Sequence, residues 1–188
     1  GIVRNTGDIR KFHDEGKHGL FFCAQGCELL NNNPEHYAPL VKNAGIGTVA
    51  LAYNERFRAG DGCLVENADK VTYYGQMVID ALHKNQILLD LSHASEATAL
   101  SAMEYSKKVA PDTPVIYTHS TPIAICDIYR SITDAEVEMC ASTGGVINIV
   151  TLPWFIVDPR AMETTPADIL KAINYVRDLV GIDHIGIS

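Results

Sequence analysis

No apolar run in this sequence approaches the roughly 20 residues that a bilayer-spanning helix needs. Positive charge is also scarce. Fifteen Lys and Arg against 23 Asp and Glu give a formal net charge of −8, and no basic cluster exists to hold a phosphate backbone, so nucleic acid is not an expected partner. The opening Gly1-Ile2-Val3-Arg4-Asn5-Thr6 lacks the pattern of a signal peptide. The five cysteines, Cys23, Cys27, Cys63, Cys126 and Cys140, are odd in number and scattered, which argues against a disulfide framework and for a reducing, cytoplasmic setting. A leader removed ahead of Gly1 would instead allow a periplasmic or secreted one. Alternation along a strand would not aim Cys23 and Cys27 at one ion. No Gly-x-Gly-x-x-Gly follows any apolar run, which removes the main sign of a dinucleotide fold.

What is present fits a single soluble domain: 188 residues, 47% hydrophobic and 20% charged. Apolar runs of strand length alternate with segments of helical period. A short helix over 8–15 precedes strands at 18–24, 48–52, 87–91, 114–120, 146–150 and 184–187. Between them lie helices opened by Asn33-Pro34, by Tyr74, by Ser95, by the capping box Thr133-Asp134-Ala135-Glu136 and by Thr165-Pro166. Residues 55–70 follow neither period and form a long loop of the kind that carries function. Residues 154–163 read as irregular.

Strict alternation means a parallel sheet with helical crossovers, met equally by an open doubly wound sheet and by a (βα)8 barrel. Polar residues stand at the C-terminal ends of four successive strands: Gln25, Tyr53, His93 and His119. The two histidines close the motifs Leu89-Asp90-Leu91-Ser92-His93-Ala94-Ser95 and Pro114-Val115-Ile116-Tyr117-Thr118-His119-Ser120. Two histidines brought to one sheet edge can form a metal site or a hydrogen-bonded pair. A barrel of this type takes about 250 residues and eight strands. Six strands therefore read as an incomplete barrel, part of a longer protein.

These two motifs, followed by Tyr129-Arg130-Ser131, Asp134, Gly144-Gly145-Val146 and Asp178-Leu179-Val180-Gly181-Ile182-Asp183-His184-Ile185-Gly186, resemble the renal, or membrane, dipeptidase family of metal-dependent peptidases over nearly the whole chain. The resemblance implies a (βα)8 barrel holding two zinc ions, with residues 1–188 a single domain short of its first strand and its last part. It makes His93 and His119 zinc ligands and Arg130 the group that grips a substrate carboxylate. Gln25 falls where the family has a glutamate bridging both metals. Tyr53 stands where the renal enzyme has a substrate-polarising histidine, and a bacterial branch shares Tyr53-Asn54. A neutral amide is a poorer bridge than a carboxylate, which weakens the case for a second metal.

The family's His-x-Asp metal motif would lie upstream of Gly1 and its acid/base aspartate beyond Ser188. Glu28 is three residues off the bridging position, and His13, His18, His36, His83 and His184 read as surface or structural groups. The implied activity is hydrolysis of dipeptides or similar small amides, with Tyr53 donating to the developing oxyanion and a homodimer by analogy. Two alternatives stand beside it: a silent or single-metal member that binds a small ligand, and a hydrolase of another small amide or lactone.

Overall fold

The computed structural model describes every residue except Pro159 and Ala161. Helix α1 (Thr6–Asp14) is capped by Asn5 and precedes β1 (Phe22–Ala24). A 3-10 turn (Glu28–Leu30) leads to α2 (Pro34–Asn43), opened by Asn33 and by proline in its first turn. Then follow β2 (Ile46–Ala50), α3 (Tyr73–Lys84), β3 (Leu88–Asp90), α4 (Glu96–Val109), β4 (Val115–Ser120), α5 (Asp134–Ser142) and β5 (Ile147–Ile149). The short α6 (Pro153–Ile156), the long α7 (Pro166–Val180), a 3-10 turn (Ile182–His184) and β6 (Ile185–Ile187) complete the order.

All six strands are parallel and lie in sequence order, β1-β2-β3-β4-β5-β6. That order decides between the two architectures. A doubly wound sheet reverses its strand order at a switch point, whereas a barrel adds each strand on the same side of the last. The sheet is therefore wound as a barrel and, with six strands, is not closed. No helix among the described residues is long and apolar enough to cross a membrane.

Alternation along the strands builds the core. Val49, Leu89, Val115, Tyr117, Ile147 and Ile149 point outward into the layer formed by Ile79, Leu82, Met103, Val137, Cys140 and Val176 of the helices, and all are fully buried. The opposite face carries Asp90 and Thr118. Three expectations are corrected. The strand over 18–24 shrinks to Phe22–Ala24, because this edge strand bulges between Phe22 and Cys23, and Leu20 reaches only an isolated bridge to Ile2. The strand over 48–52 begins and ends two residues earlier, although Leu51 still donates to the Asp90 carbonyl oxygen. The stretch 154–163 holds the single helical turn α6, started by Pro153; Pro159 and Ala161, also within it, lie outside the described residues.

One core carboxyl has a consequence for stability. Glu136, at the third position of α5, is 2% exposed. It accepts from the Tyr117 hydroxyl at 3.0 Å and from the Thr133 N–H at 2.8 Å. Burial outweighs these bonds and pushes its pKa up to about 7. With the folded value raised above the unfolded one, its stabilising contribution is complete below about pH 4.5 and is lost as pH rises through about 7. Urea unfolding should therefore show a loss on the order of 3 kcal/mol between those limits. Glu136→Gln should flatten that slope; an unchanged slope would contradict the assignment.

Candidate active site

Parallel strands deliver their C-terminal ends to one face, and barrel enzymes assemble their sites there. Gln25 directly follows β1, Tyr53 and Asn54 follow β2, His93 follows β3, His119 is the last residue but one of β4, and Arg130 lies in the loop after it. All six line one cleft of about 260 Å³ together with Tyr129, Leu152, Trp154 and Phe155. The five residues singled out in the sequence are thus brought together. Glu28 is not; it lines a separate hollow with Asn31, Arg58 and Tyr74. His83 Nε2 pairs with Ser106 Oγ and His184 Nδ1 with the Gly145 carbonyl oxygen, both structural roles. Cys27 is buried and donates to the Leu51 carbonyl oxygen, while Cys23 is exposed, so the two do not form a metal pair.

The two histidines meet Nε2 to Nε2 at 2.9 Å. Their other nitrogens decide what that contact is. His93 Nδ1 lies 2.7 Å from the Asn54 side-chain oxygen, which can only accept. His119 Nδ1 lies 2.8 Å from Thr118 Oγ1, whose own hydrogen goes to Asp90 Oδ2 at 2.6 Å. Both Nδ1 atoms therefore carry the proton, and both Nε2 atoms present lone pairs to each other. Two bare nitrogens so close repel unless a cation or a proton lies between them. Imidazole nitrogens bound at about 2.0–2.1 Å to one tetrahedral zinc ion stand about 3.3 Å apart, so a small opening of the pair lets it hold a metal.

Electrostatics agree. Burial, then the Arg130 charge, then His119 hold the His93 pKa down to about 3. Burial and Arg130 also lower that of His119, against the opposing pull of Asp90. The rings are neutral at physiological pH, the form that ligates.

Asp90 is the group behind both rings. It is 2% exposed and accepts from Ser92 N–H at 2.9 Å, Thr118 N–H at 3.1 Å and the Thr118 hydroxyl. Ser92 Oγ in turn accepts from His119 N–H at 3.1 Å. The sequence reading gave Asp90 no role. Its signal was available: a carboxylate inside an otherwise apolar strand needs buried donors.

Arg130 is 3% exposed, and no carboxylate among the described residues pairs with it. It is not the surface salt bridge that an isolated arginine would suggest. Its neighbours are the His119 carbonyl oxygen, at a long 3.4 Å from Nη2, the Phe155 ring at 5.7 Å, the Cys63 thiol, and the Asp90 carboxylate, whose charge acts on it without an ion-pair contact. A buried guanidinium without a carboxylate ion pair keeps donors with which it can receive an anion. Tyr53 stacks on His93, with ring centroids 4.0 Å apart and planes at 23°. Gln25 completes the wall. No group of three or more His, Cys, Asp or Glu among the described residues is arranged to hold a metal, so this chain offers two histidines with the Gln25 amide beside them.

The family model for membrane dipeptidase (Peptidase family M19) matches residues 1–188. Dipeptidase tcpJ of Claviceps purpurea is 24% identical over 190 residues, covering 100% of this chain and 43% of that protein. Among solved structures, an amidohydrolase from Pseudomonas aeruginosa aligns with a TM-score of 0.90 and 29% identity, over 100% of this chain and 55% of its own. A metallo peptidase from Rhodobacter sphaeroides, liganded with a phosphinate mimic of the dipeptide L-Ala-D-Ala, aligns with a TM-score of 0.87 and 21% identity, over 100% and 54%. The chain spans less than half the length of its curated relatives and little more than half of these two solved chains.

Replacing Asp90 by alanine leaves Ser92 N–H, Thr118 N–H and the Thr118 hydroxyl without their acceptor. The expected cost is on the order of 3 kcal/mol in urea unfolding. A loss below about 1 kcal/mol would show that this carboxylate does not hold the strand ends together.

Proposed function

The chain belongs to the membrane dipeptidase family, and on that premise we propose that it carries part of the active site of a metal-dependent hydrolase cleaving dipeptides or closely similar small amides. The observation that carries the reading is the placing of two bare imidazole nitrogens, 2.9 Å apart, in the same small cleft as a buried arginine without a carboxylate partner. One feature calls for a cation and the other for an anion. A small molecule with a polarisable carbonyl near a free carboxylate satisfies both.

His93 and His119 would hold zinc, which when bound supplies Lewis-acid polarisation of the scissile carbonyl and a water of lowered pKa. Arg130 fixes the terminal carboxylate through its planar fork, and its burial makes that contact strong and selective for short substrates. Tyr53 is held flat on His93 and lines the cleft, where its phenol would donate to oxygen as negative charge develops. Leu152, Trp154 and Phe155 give one side of the cleft an apolar surface. The dipeptide mimic bound by the Rhodobacter sphaeroides metallo peptidase supports this substrate class. The proposal carries with it a homodimer, supported by the resemblance alone, and a reducing compartment, supported by five free cysteines.

Gln25 favours a second reading. It offers a neutral amide at the wall where the family carries a carboxylate, which fits a member that binds one metal and a small ligand without turnover. Metal content and a dipeptide panel on the full-length gene product separate the two. About two zinc ions per chain with turnover support hydrolysis; one ion without turnover supports the binding protein. Under the first reading, His119→Ala should lose both metal and activity, and wild-type metal content in that variant would refute the ligand. Arg130→Ala should raise KM by about 30-fold or more, equivalent to about 2 kcal/mol of charge-assisted bonding, with a smaller change in kcat. An unchanged KM would remove Arg130 from substrate binding.

A further inference from the structure

Asn54 and the long loop between β2 and α3 have no part in the mechanism above, yet they are built around the same histidine. The chain leaves β2 through Tyr53 and Asn54, runs outward, and comes back against its own path at Gly62. A Cβ at Gly62 would lie 1.7 Å from the Tyr53 carbonyl oxygen and 2.5 Å from that of Asn54. Only glycine can pass there.

From this crossing the returning segment is bonded to both strand ends. Leu64 N–H donates to the Asn54 carbonyl oxygen at 2.9 Å, and Cys63 N–H donates to the His93 carbonyl oxygen at 2.8 Å. Gly62 forms an isolated antiparallel bridge with Ala94. The Cys63 thiol donates to the Asn54 side-chain oxygen at 3.4 Å, the same oxygen that accepts from His93 Nδ1 at 2.7 Å.

His93 needs such a hold. Its φ of +77° lies in the left-handed region, an uncommon backbone conformation for a residue with a Cβ. A neutral imidazole can also keep its proton on either nitrogen, and only one choice leaves Nε2 bare. Asn54 makes that choice, provided its amide does not turn round. The Cys63 thiol, which donates to the same oxygen independently of the ring, opposes the turn.

We propose that Asn54, locked by the return of the loop at residues 62–64, is the positioning residue that fixes the tautomer and aim of His93 for metal binding. Its meaning for function rests on the metal-dependent reading given above. The arrangement makes the two ligands unequal. His119 is backed through Thr118 by the Asp90 carboxylate, which strengthens it as a donor, whereas His93 is backed by a neutral amide.

Two measurements on the full-length gene product test this: zinc affinity by chelator competition, and the His93 ring-nitrogen signals of the metal-free protein by 15N NMR. In the parent, His93 should be protonated on Nδ1. In Asn54→Ala the proton should distribute over both nitrogens and zinc affinity should fall by about 10–100-fold. Asn54→Asp, which keeps the shape and adds charge behind the ring, should match or exceed the parent's affinity, and it carries the test if the alanine variant does not fold. An unchanged tautomer with unchanged zinc affinity in Asn54→Ala, or an Asn54→Asp variant as weak as a histidine deletion, would overturn the proposal. A parent with the expected tautomer but no zinc affinity would refute the metal reading and leave the positioning role intact.

Discussion

The carboxylate of Asp90 ties the ends of β3 and β4 to each other, and the site depends on that tie. It sits at the last residue of β3, paired in register with Ile116 of β4, and takes three hydrogen bonds from Ser92 and Thr118. Burying a carboxylate without a direct ion-pair partner is expensive, and those bonds offset much of the cost. Their geometry has a further effect. By fixing Thr118, Asp90 makes His119 keep its proton on Nδ1, the nitrogen beside Thr118; by fixing Ser92, it sets the turn that delivers His93. The two bare nitrogens face each other because one buried group organises both approaches.

The rest of the molecule supplies the frame in which that arrangement matters. A sheet wound in sequence order presents every strand end on one side, so groups from β1, β2, β3 and β4 and from the loop after β4 converge without any long excursion of the chain. This winding is shared by many enzymes and says little about chemistry on its own. The chemistry lies in the pairing of opposite demands within one cleft, nitrogens that want a cation beside a guanidinium that wants an anion. The proposed dipeptide hydrolysis is a reaction in which one small substrate would meet both.

Much of this was legible in the residues. The helix starts at Asn33-Pro34, Thr133 and Thr165 were marked by capping side chains whose bonds are local, and the structure keeps all three. The strands bearing His93 and His119 were marked by apolar runs long enough to be buried. Less legible were features that arise only between distant segments. The shortened β1 reflects how few residues of an edge strand find partners in β2, which no local pattern records. The roles of Asp90, Asn54 and Gly62 depend on contacts across 28, 39 and 32 residues of sequence, respectively to Thr118, His93 and the bridged Ala94. The apolar wall of Leu152, Trp154 and Phe155 was hidden in a stretch without period, because a single helical turn is too short to show one.

The central claim is that His93 and His119 share one metal ion. The most direct test is a crystal structure of the full-length gene product grown with zinc, with anomalous data collected on both sides of the zinc absorption edge. A peak within about 2.0–2.1 Å of both Nε2 atoms is the predicted result. A structure in which the two nitrogens keep their direct contact, with no anomalous peak between them at saturating zinc, would contradict it.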